Sequence, residues 1–169
     1  CFRKGAENGF PRAQFLLGEA YSRGLGVEQS DEEAARWYQS AAWLGYPAAQ
    51  TELGRCLEFG TGLPQSIEQA VKWYRAAAEN GNAPGQCCLG FLYESGQGVE
   101  QNWEEAVRWY RAAAEQGMPR AQCNLAWCYE YGKGVEQNWK RAVHWYRQAA
   151  DQEDPRGMFC MGICCQYGR

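Results

Sequence analysis

The chain has 169 residues, 46% hydrophobic and 22% charged, with 17 basic and 20 acidic side chains and a net charge of −3. No run of ~18 apolar residues occurs, so no membrane-spanning helix is expected. No basic stripe occurs either, which argues against a nucleic-acid partner.

The columns of the sequence agree every 36 residues when rows begin at Pro11, Pro47, Ala83, Pro119 and Pro155. A fixed period of about 20–50 residues is the signature of stacked repeats. Such stacks characteristically present a surface to another protein. Residues 1–10 read as the end of a truncated preceding repeat, because Cys1-Phe2 falls in the Trp37-Tyr38 column. Residues 11–46, 47–82, 83–118 and 119–154 read as four repeats, and 155–169 as the first helix of a fifth, in one continuous solenoid. Neither end shows the polar capping face of a terminal repeat, so an internal segment of a longer protein is expected. The opening Cys1-Phe2-Arg3-Lys4-Gly5 has no apolar signal-peptide core.

Each period holds two helices. Helix A is predicted over roughly Pro11–Arg23 and its equivalents. Proline suits its first turn, where the missing N–H has no intrahelical partner. Ala13, Leu17, Ala20 and Tyr21 follow the i, i+4, i+7, i+8 pattern of one buried face. The Gly24-x-Gly26 pair and its copies end it, since glycine takes positive φ without strain.

Helix B is predicted to start at Ser30, Ser66, Asn102 and Asn138, all good N-caps. Ser30 with Glu33 and Ser66 with Gln69 also fit a capping box. B then runs through Ala34, Trp37-Tyr38 and Ala41-Ala42, and stops at Gly45, Gly81 and Gly117. Glu153 takes that place in the fourth repeat, where an αL residue with a β-carbon costs about 1 kcal/mol. Local looseness near Asp151–Asp154 is expected. Glycine recurs in mid-helix A at 18, 54, 90 and 162, a cost of ~1 kcal/mol against alanine. A Trp or Tyr ring of helix B lying over the bare backbone, with the alanines at 34, 70, 106 and 142 opposite, is the expected return.

These columns resemble the Sel1-like repeat family, the longer-period cousin of the tetratricopeptide repeat. They read Ala121-x-x-x-Leu125-Ala126-x-x-Tyr129, then Gly132-x-Gly134-Val135, then Ala142-x-x-Trp145-Tyr146-x-x-Ala149-Ala150. The departures are Ala126 for Gly, Cys165 for Tyr and Glu153 for Gly. The resemblance implies an all-α fold, a right-handed α/α solenoid of four to five helix–turn–helix repeats acting as a non-enzymatic adaptor.

No residue set suggests catalysis or a cofactor. The Gly-x-Gly pairs follow helices rather than strands, so they read as turns and not as a nucleotide fingerprint. His144 shares a column with Arg36, Lys72 and Arg108, a solvated face of helix B, and no nucleophile or orienting acid falls in register with it. The acidic pairs Glu32-Glu33 and Glu104-Glu105 favour the positive end of the helix dipole.

Nine cysteines compete for three readings. The resemblance extends to a secreted branch that ties helix A to helix B by disulfides. Here the cysteines beyond Cys1 all lie on A helices, and an i, i+4 pair such as Cys160 and Cys164 is too widely spaced to bridge. A zinc site at Cys123 with Cys128, or at Cys160, Cys164 and Cys165, lacks the usual paired spacing. The favoured reading places Cys56, Cys128 and Cys164 in one small apolar column with Ala20 and Leu92. That implies a reducing, cytoplasmic compartment.

By the same resemblance, helix A lines the concave face, and ligand contacts come from its variable columns. One is Phe15, Thr51, Cys87, Cys123, Phe159; another Glu19, Arg55, Phe91, Trp127, Ile163; a third Arg23, Phe59, Ser95, Tyr131, Tyr167. Phe91, Trp127, Tyr131, Phe159 and Ile163 would form an apolar strip, with Arg55 and Phe59 nearer the charged N-terminal half. Exposed aromatics mark binding sites and dominate hot spots. Arg12, Arg120 and Arg156, at the starts of A helices, suit carboxylates. The expected partner is a protein or extended peptide; a spacer or self-association module is the alternative.

Overall fold

The computed structural model describes residues 2–166, without the side chains of Phe2, Cys165 and Gln166. The readings placed on Cys1, the Cys165 side chain and Tyr167 therefore lie outside the described residues. Among the described residues there are ten helices and no strand. After α1 (Phe2–Glu7), the A helices are α2 (Pro11–Arg23), α4 (Pro47–Phe59), α6 (Ala83–Ser95), α8 (Pro119–Tyr131) and α10 (Pro155–Gln166). The B helices are α3 (Asp31–Trp43), α5 (Ile67–Glu79), α7 (Trp103–Glu115) and α9 (Trp139–Ala150). No helix among the described residues is long and apolar enough to cross a membrane. The contacts divide into two compact units, 1–85 and 86–169.

Within unit 1, the B helix starts where its cap dictates. Ser30 Oγ accepts from Glu33 N at 3.2 Å and Ser66 Oγ from Gln69 N at 3.4 Å. The Ser30 box closes on one side only, because the Glu33 carboxylate turns to Arg36 at 2.7 Å. The A helices α2 and α4 have no side-chain cap and rely on proline at the first turn. Ala34, Tyr38, Ala41 and Ala42 of α3 are buried, at the spacing of one helix face. The mid-helix glycine is explained by tyrosine. A β-carbon on Gly18 would lie 2.7 Å from the Tyr38 ring, and one on Gly54 2.7 Å from the Tyr74 ring. Between Trp and Tyr, it is Tyr that fills this role at Gly18, Gly54 and Gly90, whereas a β-carbon on Gly162 would meet no described atom within 4 Å.

The second glycine of the turn has a separate task. At Gly62 a β-carbon would stand 2.1 Å from the Asp31 carbonyl oxygen. The turn after α4 is thus laid directly on the start of α3. In unit 2 the same approach recurs, with the Gly134 position 2.3 Å from the Trp103 carbonyl oxygen.

Unit 2 repeats the plan with asparagine caps. Asn102 accepts from Glu105 N and Asn138 from Arg141 N, both at 3.0 Å. Leu89, Leu92, Tyr110, Leu125 and Cys128 form its most deeply buried core. In the column of Ala20, Cys56, Leu92, Cys128 and Cys164 all but the half-buried Ala20 are buried, as a run of small hydrophobes would be. Cys56, Cys87, Cys123, Cys128 and Cys160 are free thiols. Burial pushes Cys128 up to about 12 and Cys56 up to about 11, so both stay neutral at physiological pH. The turn after α9 does keep a left-handed residue, Glu153 at φ 60°.

A buried glutamine column stitches helices together within each unit. Gln50 Nε2 donates to the Ala42 carbonyl while its Oε1 accepts from Asn80 at 3.3 Å. In unit 2, Gln122 donates to Ala114 and accepts from Gln152 at 2.9 Å. Gln14 donates to Ala6, but its buried Oε1 has no partner among the described residues. The reason is in the sequence: the place of Asn80, Gln116 and Gln152 is held by Leu44, which cannot donate.

Candidate functional site

The surface of unit 2 collects aromatic rings at one place. The Asn102 and Asn138 caps put Trp103 and Trp139 at the first positions of α7 and α9. Helix α8 supplies Trp127 and Tyr131, four residues apart and so on one face. The Trp127 ring stacks on Trp103 with centroids 5.8 Å apart and planes 30° apart. It also meets Tyr131, with centroids 5.0 Å apart. Lys133 Nζ stands 5.7 Å from the Trp103 ring, within cation–π range. Trp127 remains 36% exposed and Tyr131 57%.

Beside this run lies a cleft of about 190 Å³ between α8, α9 and α10. Its walls are Trp127, Tyr131, Trp139, Tyr146 and Ile163, with Glu130, Cys160 and Cys164. Tyr146 Oη donates to Glu130 Oε2 at 2.7 Å. Burial, then the hydrogen bond to Glu130, push the Tyr146 phenol well above its usual range. Burial also raises the Cys160 thiol. A smaller hollow on the other side of Trp127 is lined by Glu94, Asn124 and Arg156. There the Arg156 guanidinium donates to Asn124 Oδ1 at 3.2 Å.

Of the residues expected in the strip, Trp127, Tyr131 and Ile163 share the cleft. Phe91 and Phe159 are exposed but line neither hollow. Arg55 and Phe59 belong to unit 1. Phe59 is exposed, and Arg55 lies 3.5 Å from Glu52. Burial holds the Glu52 carboxyl above the usual range, with Arg55 pulling it down. Arg23 pairs with Glu19 at 2.8 Å, and Glu19 also accepts from Tyr38 Oη at 2.8 Å.

One variable column needs correction. Thr51, Cys87 and Cys123 are not at the surface; each is about 2% exposed. Thr51 Oγ1 donates to Asn82 Oδ1 at 2.8 Å, and Cys123 Sγ lies 3.5 Å from Asp154 Oδ1. Phe15 packs on Tyr38 and Tyr46 with centroids 5.8 and 5.3 Å away. At Phe15, Thr51 and Cys123 the column varies together with its partner column of Tyr46, Asn82 and Asp154, while Phe159 is exposed. Variation along a repeat marks paired fitting here, not freedom from the fold.

Trp103, Trp139 and Glu130 escaped the sequence reading, which places Tyr146 only in the repeat pattern. The signal was present: the first position of helix B reads Asp31, Ile67, Trp103, Trp139. It turns aromatic in the repeats whose A helices also turn aromatic. Glu130 belongs to a column with Glu58 and Glu94, each accepting from a buried tyrosine of its own repeat's B helix. Trp43, 73% exposed and edge-on to Trp73 at 5.1 Å, is a further surface aromatic that the reading missed.

His144 is exposed, beside Trp145. Among the described residues no three His, Cys, Asp or Glu side chains are grouped to hold a metal.

The Sel1 repeat pattern matches residues 11–46, 47–82, 83–118 and 119–154. The chain is similar to a Sel1 repeat protein from Oxalobacter formigenes, at 40% identity and a TM-score of 0.86 over 92% of this chain and 62% of that one. It is similar to a protective antigen of uropathogenic Escherichia coli with an SLR fold, at 34% identity and a TM-score of 0.89. That match covers 99% of this chain and 36% of the antigen. An immunity protein from Pseudomonas aeruginosa is 26% identical, with a TM-score of 0.62 over 92% of this chain and 58% of its own. The chain spans less than two thirds of each of these proteins. No curated protein matches it. Sel1 repeats commonly mediate protein–protein interaction, and the family is typically a non-catalytic scaffold.

Proposed function

The chain belongs to the Sel1 repeat family, and on that premise we propose that it is a non-enzymatic adaptor holding a partner protein or peptide on the aromatic surface of unit 2. The observation that carries this reading is the Trp103–Trp127–Tyr131 run beside an open cleft. Large rings left in water cost free energy that a partner recovers by covering them, and Trp and Tyr are the residues that dominate such contacts. The rings are held by stacking and by helix positions, so little side-chain freedom is lost on binding. Phe91, Phe159 and Ile163 extend the apolar area; Arg55 and Phe59 are a second, weaker contact on unit 1.

Affinity capture from source-cell lysate under reducing conditions tests this, with wild type beside a Phe91→Ala, Trp127→Ala variant of confirmed helicity. A partner held by wild type and lost by the variant supports the surface. A partner held equally by both moves the site elsewhere. The reducing condition follows from the free thiols, which support a cytoplasmic setting; blocked or paired thiols in protein from the source cell would overturn that setting.

The second reading is a spacer or self-association module. Its support is the exposed face of α10, where Met158 is 54% and Phe159 69% exposed. Mass that rises with concentration in light scattering, and falls with Phe159→Glu, supports it.

A further inference from the structure

We infer that the cleft beside Trp127 takes the cationic end of a lysine or arginine side chain from the partner; this rests on the adaptor reading above. Three aromatic rings, Trp127, Tyr131 and Trp139, line the cleft together with the Glu130 carboxylate. Ring faces attract cations, with tryptophan the strongest. Glu130 spends one oxygen on the Tyr146 hydroxyl. Among the described residues its other oxygen, Oε1, has no hydrogen-bond or ion-pair partner. The other polar groups of the described lining residues are the Tyr131 and Tyr146 phenols, the Trp127 and Trp139 indole N–H groups and the thiols of Cys160 and Cys164. Burial raises both the Tyr146 phenol and the Cys160 thiol, which keeps them neutral. Glu130 is therefore the one charged side chain among the described residues that line the cleft.

Among the described residues that line the cleft there is no basic side chain. Arg141 covers the Tyr129 ring, Arg156 bonds Asn124, and Lys133 rides on Trp103. Lys133 also shows what these rings do when a cation is within reach. The hollow on the other side of Trp127 makes the same point, with Glu94, one repeat before Glu130, lining it together with Arg156. An anionic ligand group would meet Glu130. A purely apolar one would cover Glu130 Oε1 and leave it without a donor, a desolvation cost that a guanidinium or ammonium avoids.

The test uses the described chain and three small probes at constant ionic strength: butylguanidinium, butylammonium and neutral butyramide. The indole N–H signals of Trp127 and Trp139, assigned through Trp127→Phe and Trp139→Phe, are followed by NMR. Both cations should shift these two signals saturably and at least about fivefold more tightly than butyramide. Glu130→Gln, which keeps an acceptor for Tyr146, should abolish that preference with helicity unchanged. Equal response to butyramide, no response of the two indoles through the millimolar range, or a preference untouched by Glu130→Gln would each overturn the inference. In the lysate capture, a partner lost on Trp127→Ala but kept by Glu130→Gln sinks the cation and leaves the adaptor standing. A partner kept by Trp127→Ala sinks the adaptor surface itself.

Discussion

Units 1 and 2 are built on the same columns and differ in what they show to solvent. At the place where unit 2 has Phe91, Trp127 and Ile163, unit 1 has Glu19 and Arg55. Those charges are spent within the unit, Glu19 on Arg23 and Tyr38, Arg55 on Glu52. Exposed pairs of this kind contribute about 0–1 kcal/mol and are screened by salt. The rings of unit 2 stack on one another and still face water. At this column one repeat plan thus carries charges paired within unit 1 and rings that face water in unit 2. The turn, cap and glycine positions that keep the plan constant are backbone requirements; the surface columns are not.

That separation can be broken in order of expected effect. Gly62→Ala in unit 1 and Gly134→Ala in unit 2 should each destabilise by about 3 kcal/mol or more, because a β-carbon meets backbone at positive φ. Gly26→Ala has the same φ region but open space around it and should cost only about 1 kcal/mol. Urea unfolding of the three variants checks this. Equal losses would mean that left-handed φ alone, and not the close approach of the turn, sets the requirement.

Binding should divide the units next. Trp127→Ala should weaken partner binding by about 2 kcal/mol or more, whereas Arg55→Ala should change it by less than about 0.5 kcal/mol. Calorimetry against the captured partner reads both. A larger loss at Arg55 would transfer the site to unit 1. Loss of helix content in Trp127→Ala would make that ring a core residue.

The glutamine column gives a smaller and opposite pair. Gln152→Leu should destabilise unit 2 by about 1–2 kcal/mol, since it orphans the buried Gln122 Oε1. Leu44→Gln should stabilise unit 1 by about 1 kcal/mol by giving Gln14 Oε1 its missing donor. Chemical unfolding measures both, and no gain from Leu44→Gln would mean that water already serves Gln14. Smallest is Glu153→Gly, which relieves the one left-handed non-glycine residue described and should add about 1 kcal/mol at most. An unchanged midpoint would show that the turn bears no strain.

Much of the frame was legible in the residues. The starts of α3, α5, α7 and α9 follow from Ser30, Ser66, Asn102 and Asn138, because an orphan N–H needs a local acceptor and these side chains supply one. The ends of the A helices follow from the Gly24 column for an equally local reason. The site was legible only in part. Trp127, Tyr131 and Ile163 were named from their columns, but a column on one helix says nothing about what stands opposite. Thr51 and Cys123 looked as free as Trp127, yet they are buried against Asn82 and Asp154.

The sequence by itself determined the period, the helix limits and the need for glycine, since each depends on chemistry within a few residues along the chain. Only the tertiary structure decided which glycine meets a ring and which meets a carbonyl, which glutamine lacks a donor, and that Trp103, Trp139 and Glu130 converge on Trp127's side of α8. Those outcomes depend on contacts between helices 16–30 residues apart, where distance through space is set by packing rather than by spacing along the chain.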